Sequence, residues 1–188
     1  PEIEADDSMS LPYSALDDYG VVEGEVRISL DLLAMDRRHG LVVDPDPRDD
    51  IVLDLPLPST GDRREFSDFL IDDFSQHPWA NMPVVYTFMA RDGADQTSFT
   101  AGFGASLLAR RFFDPMAAAL VEQRRDLLWS RSNSRRAAQI LRALSHYPED
   151  QFRSPSSYLR MRMILRRLEH YTATGFTQTR QDEIAAAL

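Results

Sequence analysis

Two observations predict an α+β protein built in two parts, with strands in the first and helices in the second. Apolar and polar residues alternate in several short segments up to about residue 109, which is the period of a strand with one buried face. From about residue 112, capping residues and first-turn prolines precede longer amphipathic segments. We therefore predict an antiparallel β-sandwich over residues 1–109 and a small helical bundle over residues 112–188.

The strand predictions follow the alternation along the chain. In "VVEGEVRISLDL" the apolar residues Val22, Val26, Ile28, Leu30 and Leu32 share one parity, which predicts a strand with these side chains inward. "IVLDLPLP" repeats the pattern, and Pro56 favours an edge position because proline donates no backbone hydrogen bond. Further strands are predicted around residues 66–74, 84–90 and 98–103, between turn-rich segments. Five or more strands without intervening helices are typical of a sandwich.

The helix predictions depend on start and stop signals. Asp114-Pro115 and Ser154-Pro155 each place a capping side chain before a first-turn proline. Ser134 or Asn133 caps a segment between them, and Gly175 ends the third helix. A fourth helix begins near Thr177 or Thr179, with Asp182 as the partner of Thr179 in a capping box. Connections this short favour antiparallel neighbours.

Composition excludes several classes of protein. Residues 1–109 carry 22 acidic and 7 basic side chains, whereas residues 110–188 carry 8 acidic and 14 basic ones, so the two parts have opposite net charge. The absence of cysteine excludes disulfides and thiolate metal sites. No apolar run is long enough to span a membrane. Because the chain begins with Pro1 and "RQDEIAAAL" stops within a helical pattern, we expect a piece of a longer protein, with the bundle truncated at its C-terminal end.

Four aspartates are weak candidates for a cation or catalytic site. Asp17 and Asp18 precede the strand in "ALDDYGVV", where they form either a carboxylate pair or the polar entry to the strand. Asp92 and Asp95 lie in the turn-forming "RDGADQ", but a hard cation requires about six oxygens at one point. "DPDPRDD" has acids at a spacing close to a calcium loop, yet prolines replace the flexible ligands, which favours a solvated acidic loop.

No familiar catalytic or cofactor-binding motif is present. The four histidines are far apart and form no zinc-binding pair, and the chain has no P-loop, nucleophile elbow or glycine-rich dinucleotide motif. We therefore predict no catalytic residue and no cofactor. The alternative to a non-enzymatic protein is a hydrolase or cation-dependent site built on the four aspartates.

Several short segments occur along the chain in a recognisable order. They are "DDYGV", "IVLDLPLP", "HPWANMPV", "ARDGADQTS", "RRFFDP", "VEQRRDLLW" and "YLRMRMILRRLE". With these segments the chain resembles the bacterial proteins grouped as the domain-of-unknown-function 4175 family. The resemblance implies an immunoglobulin-like sandwich followed by helices, anchored to the inner membrane through regions outside this chain and placed on its periplasmic side. It implies no activity and no catalytic residues.

Three positions are candidates for binding another protein. Trp79 lies between two prolines in "HPWANMP", where its ring either anchors a partner or closes the open end of the sandwich. On a helical wheel of the third helix, Leu159 and Met163 lie opposite the main apolar arc, so we expect the sandwich or another chain to cover them. A protein partner or self-association follows from this pattern.

The arginines of the third helix border its apolar arc instead of forming one stripe, and the acidic first part would repel a polyanion, so we predict no nucleic-acid binding.

Arg124 projects between the flanks of the apolar face of the first helix. Two readings stay open for it. Either it forms an ion pair with an acid of the first part and so acts as an interdomain contact, or its charged end reaches water. From these observations we predict a non-catalytic scaffold or protein-binding module, which the family resemblance places in the cell envelope.

Overall fold

The computed structural model describes residues 1–59, 63–146, 152 and 154–188. The chain divides into two compact units, one formed by Pro1–Met35 with Arg48–Arg110 and the other by Asp36–Pro47 with Arg111–Leu188. The first unit contains the strands and the second contains the helices. The predicted order of antiparallel strands followed by helices, an α+β arrangement, is therefore confirmed.

The described residues of the first unit form eight strands in two antiparallel sheets. In chain order the strands are β1 (Glu2–Ile3), β2 (Met9–Leu16), β3 (Val21–Leu30), β4 (Ile51–Asp54), β5 (Glu65–Asp72), β6 (Pro83–Asp92), β7 (Thr97–Phe99) and β8 (Phe103–Ser106). The first sheet has the order β1-β2-β5, and the second has the order β4-β3-β6-β7, with β8 also paired to β6. β4 lies at an edge, as the proline that follows it predicts.

The core of this unit lies between the two sheets. Met9 and Leu11 of the first sheet, and Val26, Ile28 and Tyr86 of the second, are buried. Burying an apolar side chain of this size contributes about 1.5–3 kcal/mol. The Tyr86 hydroxyl donates to the Met9 sulfur at 3.4 Å, which links the inner faces of the two sheets.

A β-bulge changes the predicted orientation at the start of β3. The pairing of β3 with β6 shifts register between Val21 and Glu23, so that one extra residue occupies β3 there. Val21 is therefore buried and Val22 is 46% exposed. The prediction that Val22 points inward with Val26 and Ile28 is wrong, because a bulge reverses the alternation on one side of it.

The second unit contains four α-helices in its described residues, and they begin where the capping signals predict. They are α1 (Pro115–Trp129), α2 (Ser134–Leu144), α3 (Pro155–Thr174) and α4 (Gln178–Ala187). The Asp114 carboxylate accepts from the Ala117 N–H at 2.9 Å, and the Ser154 hydroxyl accepts from the Ser157 N–H at 3.2 Å. Their apolar faces share one core, which includes Leu127, Leu141, Leu165, Leu168 and Ile184.

Residues 36–47 bind to the helices, although they belong to the first half of the sequence. The Trp129 indole N–H donates to the Val43 carbonyl at 2.8 Å. The Asp46 carboxylate accepts from both the backbone N–H and the Nε of Arg131, each at 2.9 Å. The sequence predicts that Asp46 belongs to a solvated acidic loop. In the structure it binds Arg131 instead, at the junction between α1 and α2.

The same segment packs Gly40 against a buried carboxylate. Asp126 is completely buried, with Nη1 of Arg136 at 2.7 Å and Nη2 of Arg125 at 3.1 Å. The Asn133 side chain donates to the carbonyls of both Gly40 and Asp126, at 2.7 and 2.8 Å. A Cβ atom at Gly40 would lie 2.5 Å from Oδ1 of Asp126 and closer still to Cγ and Oδ2. Only glycine fits this close approach.

Candidate functional site

Helix α3 presents two apolar sides. Met161, Ile164, Leu165 and Leu168 form the side that enters the core. On the opposite side Leu159 is 62% exposed and Met163 is 65% exposed. Residues four apart lie one turn above each other on a helix, so these two side chains form one continuous apolar strip on the surface.

Arginines border this strip on both flanks. Arg166 lies on one flank, and Arg160 and Arg167 lie on the other, as the rotation of about 100° per residue requires. Among the described residues these three arginines have no ion pair. Glu169, the one acid of α3, pairs instead with Arg142 of α2 at 2.6 Å. We call the strip of Leu159 and Met163 with these three arginines the α3 face.

A shallow groove continues the α3 face toward α4. It has a volume of about 330 Å³, and its apolar lining comes from Met163 and Ile164 of α3 and from Ile184 and Ala187 of α4. The Arg160 guanidinium donates to the Ala187 carbonyl at 3.4 Å, at the C-terminal end of α4, where a cation is favourable. The groove is therefore apolar inside and basic at its rim, a combination that suits an acidic amphipathic partner.

The predicted cover over Leu159 and Met163 stays a prediction. Neither side chain is fully exposed, and Met163 has Ile184 and Ala187 as neighbours in the groove. Both side chains nevertheless leave more than half of their surface accessible to a second protein.

Each of three candidate aspartates serves a turn or an ion pair in the structure. One carboxylate oxygen of Asp17 accepts from the Tyr19 N–H at 2.8 Å, which is an Asx turn at the entry to β3. Asp92 is buried, and its Oδ1 accepts from the N–H groups of Ala94 and Gln96, both at 2.8 Å. Asp95 pairs with Arg91 at 3.1 Å.

The aspartates also differ in their surroundings. Asp17 and Asp92 both line a cleft between the sheets, whereas Asp18 is exposed to solvent. Within residues 1–59, 63–146, 152 and 154–188, no three His, Asp or Glu side chains are close enough to hold one metal ion. Asp17 thus has a partner in the β2–β3 turn, and Asp92 and Asp95 have partners at the β6–β7 turn.

The cleft itself is a feature that the sequence analysis missed. It has a volume of about 400 Å³, and its lining includes the rings of Tyr13, Phe66 and Phe88. Tyr13 stacks on Phe88 at 6.4 Å, and its hydroxyl donates to the Pro56 carbonyl. Burial, with a smaller effect of the Asp68 charge, raises the pKa of Tyr13 to about 12. Tyr13 of β2 and Phe88 of β6 face each other across the two sheets, a pairing that would have indicated the cleft. The sequence pattern did not predict β2 as a strand.

Trp79 lies in the core and not on the surface. It is 5% exposed, its backbone N–H donates to Nδ1 of His77 at 3.1 Å, and the two rings meet edge to face at 5.1 Å. The role of Trp79 as an anchor for a partner stays a prediction. A partner could reach the Trp79 ring only after the loop opened.

Arg124 has a partner within the helical unit. Its Nε donates to the Ala185 carbonyl in the last turn of α4 at 2.9 Å. The C-terminal end of a helix carries partial negative charge, which stabilises a cation there. Burial lowers the pKa of the Arg124 guanidinium, and the carbonyl offsets part of that desolvation cost. The predicted ion pair between Arg124 and an acid of the first part stays a prediction.

Comparison with known proteins assigns the family. A family model described as "Domain of unknown function (DUF4175)" matches residues 1–188. The chain belongs to the DUF4175 family. No curated protein and no solved structure matches it. The family resemblance predicted from the sequence is thereby confirmed, but DUF4175 has no assigned function and supplies no catalytic residues.

The described helices of this DUF4175 chain include none with both the length and the apolar character needed to cross a membrane.

Proposed function

We propose that this DUF4175 chain is a non-catalytic protein-binding module of the cell envelope, and that the α3 face is its binding surface. The observation that carries the proposal is the pair of exposed apolar side chains, Leu159 and Met163, on the side of α3 that faces away from its own core. Exposed apolar strips with a polar rim are typical of protein interaction sites.

The charges on the α3 face indicate the chemistry of the partner. Three arginines border the strip, and Glu169, the one acid of α3, is already paired with Arg142. Arginine is enriched at protein interfaces because its stem packs on apolar groups while its guanidinium binds carboxylates. The partner would therefore present apolar side chains flanked by aspartate or glutamate.

The envelope location is part of the proposal and rests on the family resemblance. We expect the intact protein to expose this region on the periplasmic side of the inner membrane. Protease added to spheroplasts should then cleave within residues 1–188, whereas protection until the membrane is lysed would contradict this location.

Photo-crosslinking from the α3 face tests the binding function. A photoreactive amino acid replaces Met163 in the intact protein, and a matched control places it at Arg135, which is exposed on α2. Only the probe at position 163 should yield a discrete crosslinked band.

The charge variant Arg166→Glu/Arg167→Glu should abolish that band, because it reverses the rim without changing the apolar strip. Equal crosslinking from both positions, or none from position 163, would contradict the proposed function.

A further inference from the structure

We infer that the partner of the α3 face is a second copy of this chain, which contributes the outward face of its first sheet. This inference rests on the proposed function and names the partner of the same surface. It follows from a second exposed apolar strip in the molecule whose border has the opposite charge.

The outward face of the first sheet carries an apolar strip. Pro12 of β2 lies directly opposite Phe69 of β5, and Ile71 follows two residues later on the same side of β5. Side chains of alternate residues share one face of a strand, so the three are neighbours. Phe69 is 55% exposed and Ile71 is 59% exposed, whereas Leu11 and Leu70 on the inner face are buried.

The border of this strip is acidic. The strands β1, β2 and β5 contain no arginine or lysine. Of their four acids, Asp68 and Asp72 alternate with the outward residues of β5 and share the inward side of Leu70, so Glu2 and Glu65 supply the outward charge. Glu2 pairs with Ser10 and Glu65 pairs with Leu16, which places both glutamates on the same outward side as Phe69. We call Pro12, Phe69 and Ile71 with Glu2 and Glu65 the sheet face.

The two faces match in both apolar character and charge. Helix α3 has four arginines and one glutamate, and that glutamate is paired with Arg142. Contact between the α3 face and the sheet face would bury Leu159 and Met163 against Phe69 and Ile71. The arginines of one face would then lie near the glutamates of the other. Complementary charge at the rim of an apolar contact speeds association and sets its orientation.

The charges also argue against contact between like faces. Two α3 faces would bring arginines together, and two sheet faces would bring glutamates together, so each symmetric pairing is electrostatically unfavourable. Contact between unlike faces is head to tail, because each copy uses a different surface.

The free edge of β5 is a weaker site for the partner than its face. The N–H groups of Phe69 and Asp73 already donate to the carboxylates of Asp68 and Asp72, at 2.8 Å in each case. Addition of a partner strand requires free backbone donors. The side chains of the sheet face, in contrast, remain accessible.

A complementation experiment tests this pairing directly. Met163→Glu disables the α3 face, and Phe69→Arg disables the sheet face, each at an exposed position where folding tolerates the change. In sedimentation velocity, the average mass of the sedimenting species should rise with the concentration of the wild-type chain. Each variant alone should bind itself at least about tenfold more weakly.

The mixture of the two variants gives the decisive measurement. Each variant keeps the face that the other lacks, so a 1:1 mixture should form a two-chain complex with the wild-type affinity, and high salt should weaken it. Leu33→Glu and Phe113→Arg are matched controls, because they introduce the same charges at side chains that are 100% and 93% exposed. Both controls should associate like the wild type.

Several outcomes would overturn the inference. A wild-type chain that stays monomeric, a mixture that stays monomeric, or association that Met163→Glu abolishes but Phe69→Arg does not would each exclude the sheet face as the partner. Binding to phosphatidylglycerol vesicles through Met163, without self-association, would assign the α3 face to a lipid surface instead. If the probe at position 163 crosslinks a different protein while self-association is absent, the inference fails and the proposed function stands.

Discussion

Gly40→Ala should destabilise the helical unit severely, although it adds only one methyl group. The new Cβ would occupy the position of the Asp126 carboxylate. Asp126 has no exposed surface and depends on Arg136 and Arg125, at 2.7 and 3.1 Å. The methyl group must displace the carboxylate from both guanidinium groups or push residues 36–47 away from α1.

The expected magnitude follows from these two costs. Leaving the buried Asp126 carboxylate without its arginine partners costs about 3–5 kcal/mol, and inserting a methyl group into a filled site costs about 1–3 kcal/mol. Moving the carboxylate away also removes the steric clash, so the two costs do not add. We therefore expect a total loss of about 3–5 kcal/mol. This is a large fraction of the roughly 5–15 kcal/mol that stabilises a typical domain.

Urea unfolding, followed by far-ultraviolet circular dichroism and tryptophan fluorescence, measures the loss. Gly104→Ala is the matched control, because the nearest atom to its Cβ would be 3.8 Å away. In an Asp126→Ala background the cost of Gly40→Ala should largely disappear, since the clashing carboxylate is gone. Equal stability of Gly40→Ala and Gly104→Ala, or an unchanged cost in the Asp126→Ala background, would refute the reasoning.

Three further measurements check other parts of the structure. Asp92→Asn should lower the free energy of unfolding by about 1–3 kcal/mol, because it removes the charge from an acceptor of two N–H groups. Calorimetry with calcium should show no saturable binding to either the wild type or this variant. Saturable binding that is lost in Asp92→Asn would favour a cation site. Burial raises the pKa of Tyr86 to about 12 in the folded protein. In the unfolded chain this hydroxyl ionises at a lower pH, so the free energy of unfolding should fall between about pH 10 and pH 12. Tyr86→Phe should reduce this fall, and an unchanged pH profile in the variant would contradict the assignment. Asp114→Ala should cost about 1 kcal/mol through loss of the cap on α1, with Asp182→Ala on the surface of α4 as a near-neutral control in the same unfolding assay.

The helices and most strands could be predicted because their signals are local. Asp114 and Ser154 each bind an N–H three residues later, and both ends of that bond lie within one turn of sequence. β4 is similar, because Pro56 and the alternation around it are sufficient to predict an edge strand. The second apolar strip on α3 also follows from the wheel alone, although its exposure does not.

The features that were missed depend on residues far apart in the sequence. Pro12 argues against a central strand, yet β2 accommodates it because β1 pairs only with Met9 and Ser10. The bulge near Val22 is fixed by the pairing with β6. Residues 36–47 are assigned to the helices by bonds such as that between Trp129 and Val43, which are 86 positions apart. No local pattern encodes such a pairing.

The bond between Trp129 and Val43 also sets an order of events during synthesis. Residues 36–47 leave the ribosome well before α1 does, so they must wait, without their final partners, while the strands from β4 to β8 are made. Closing a contact over this distance is slow compared with forming a single helix. The helical unit can therefore reach its final packing only after most of the chain has been translated, and a fragment that begins at residue 111 would lack the segment that surrounds Asp126 and Trp129.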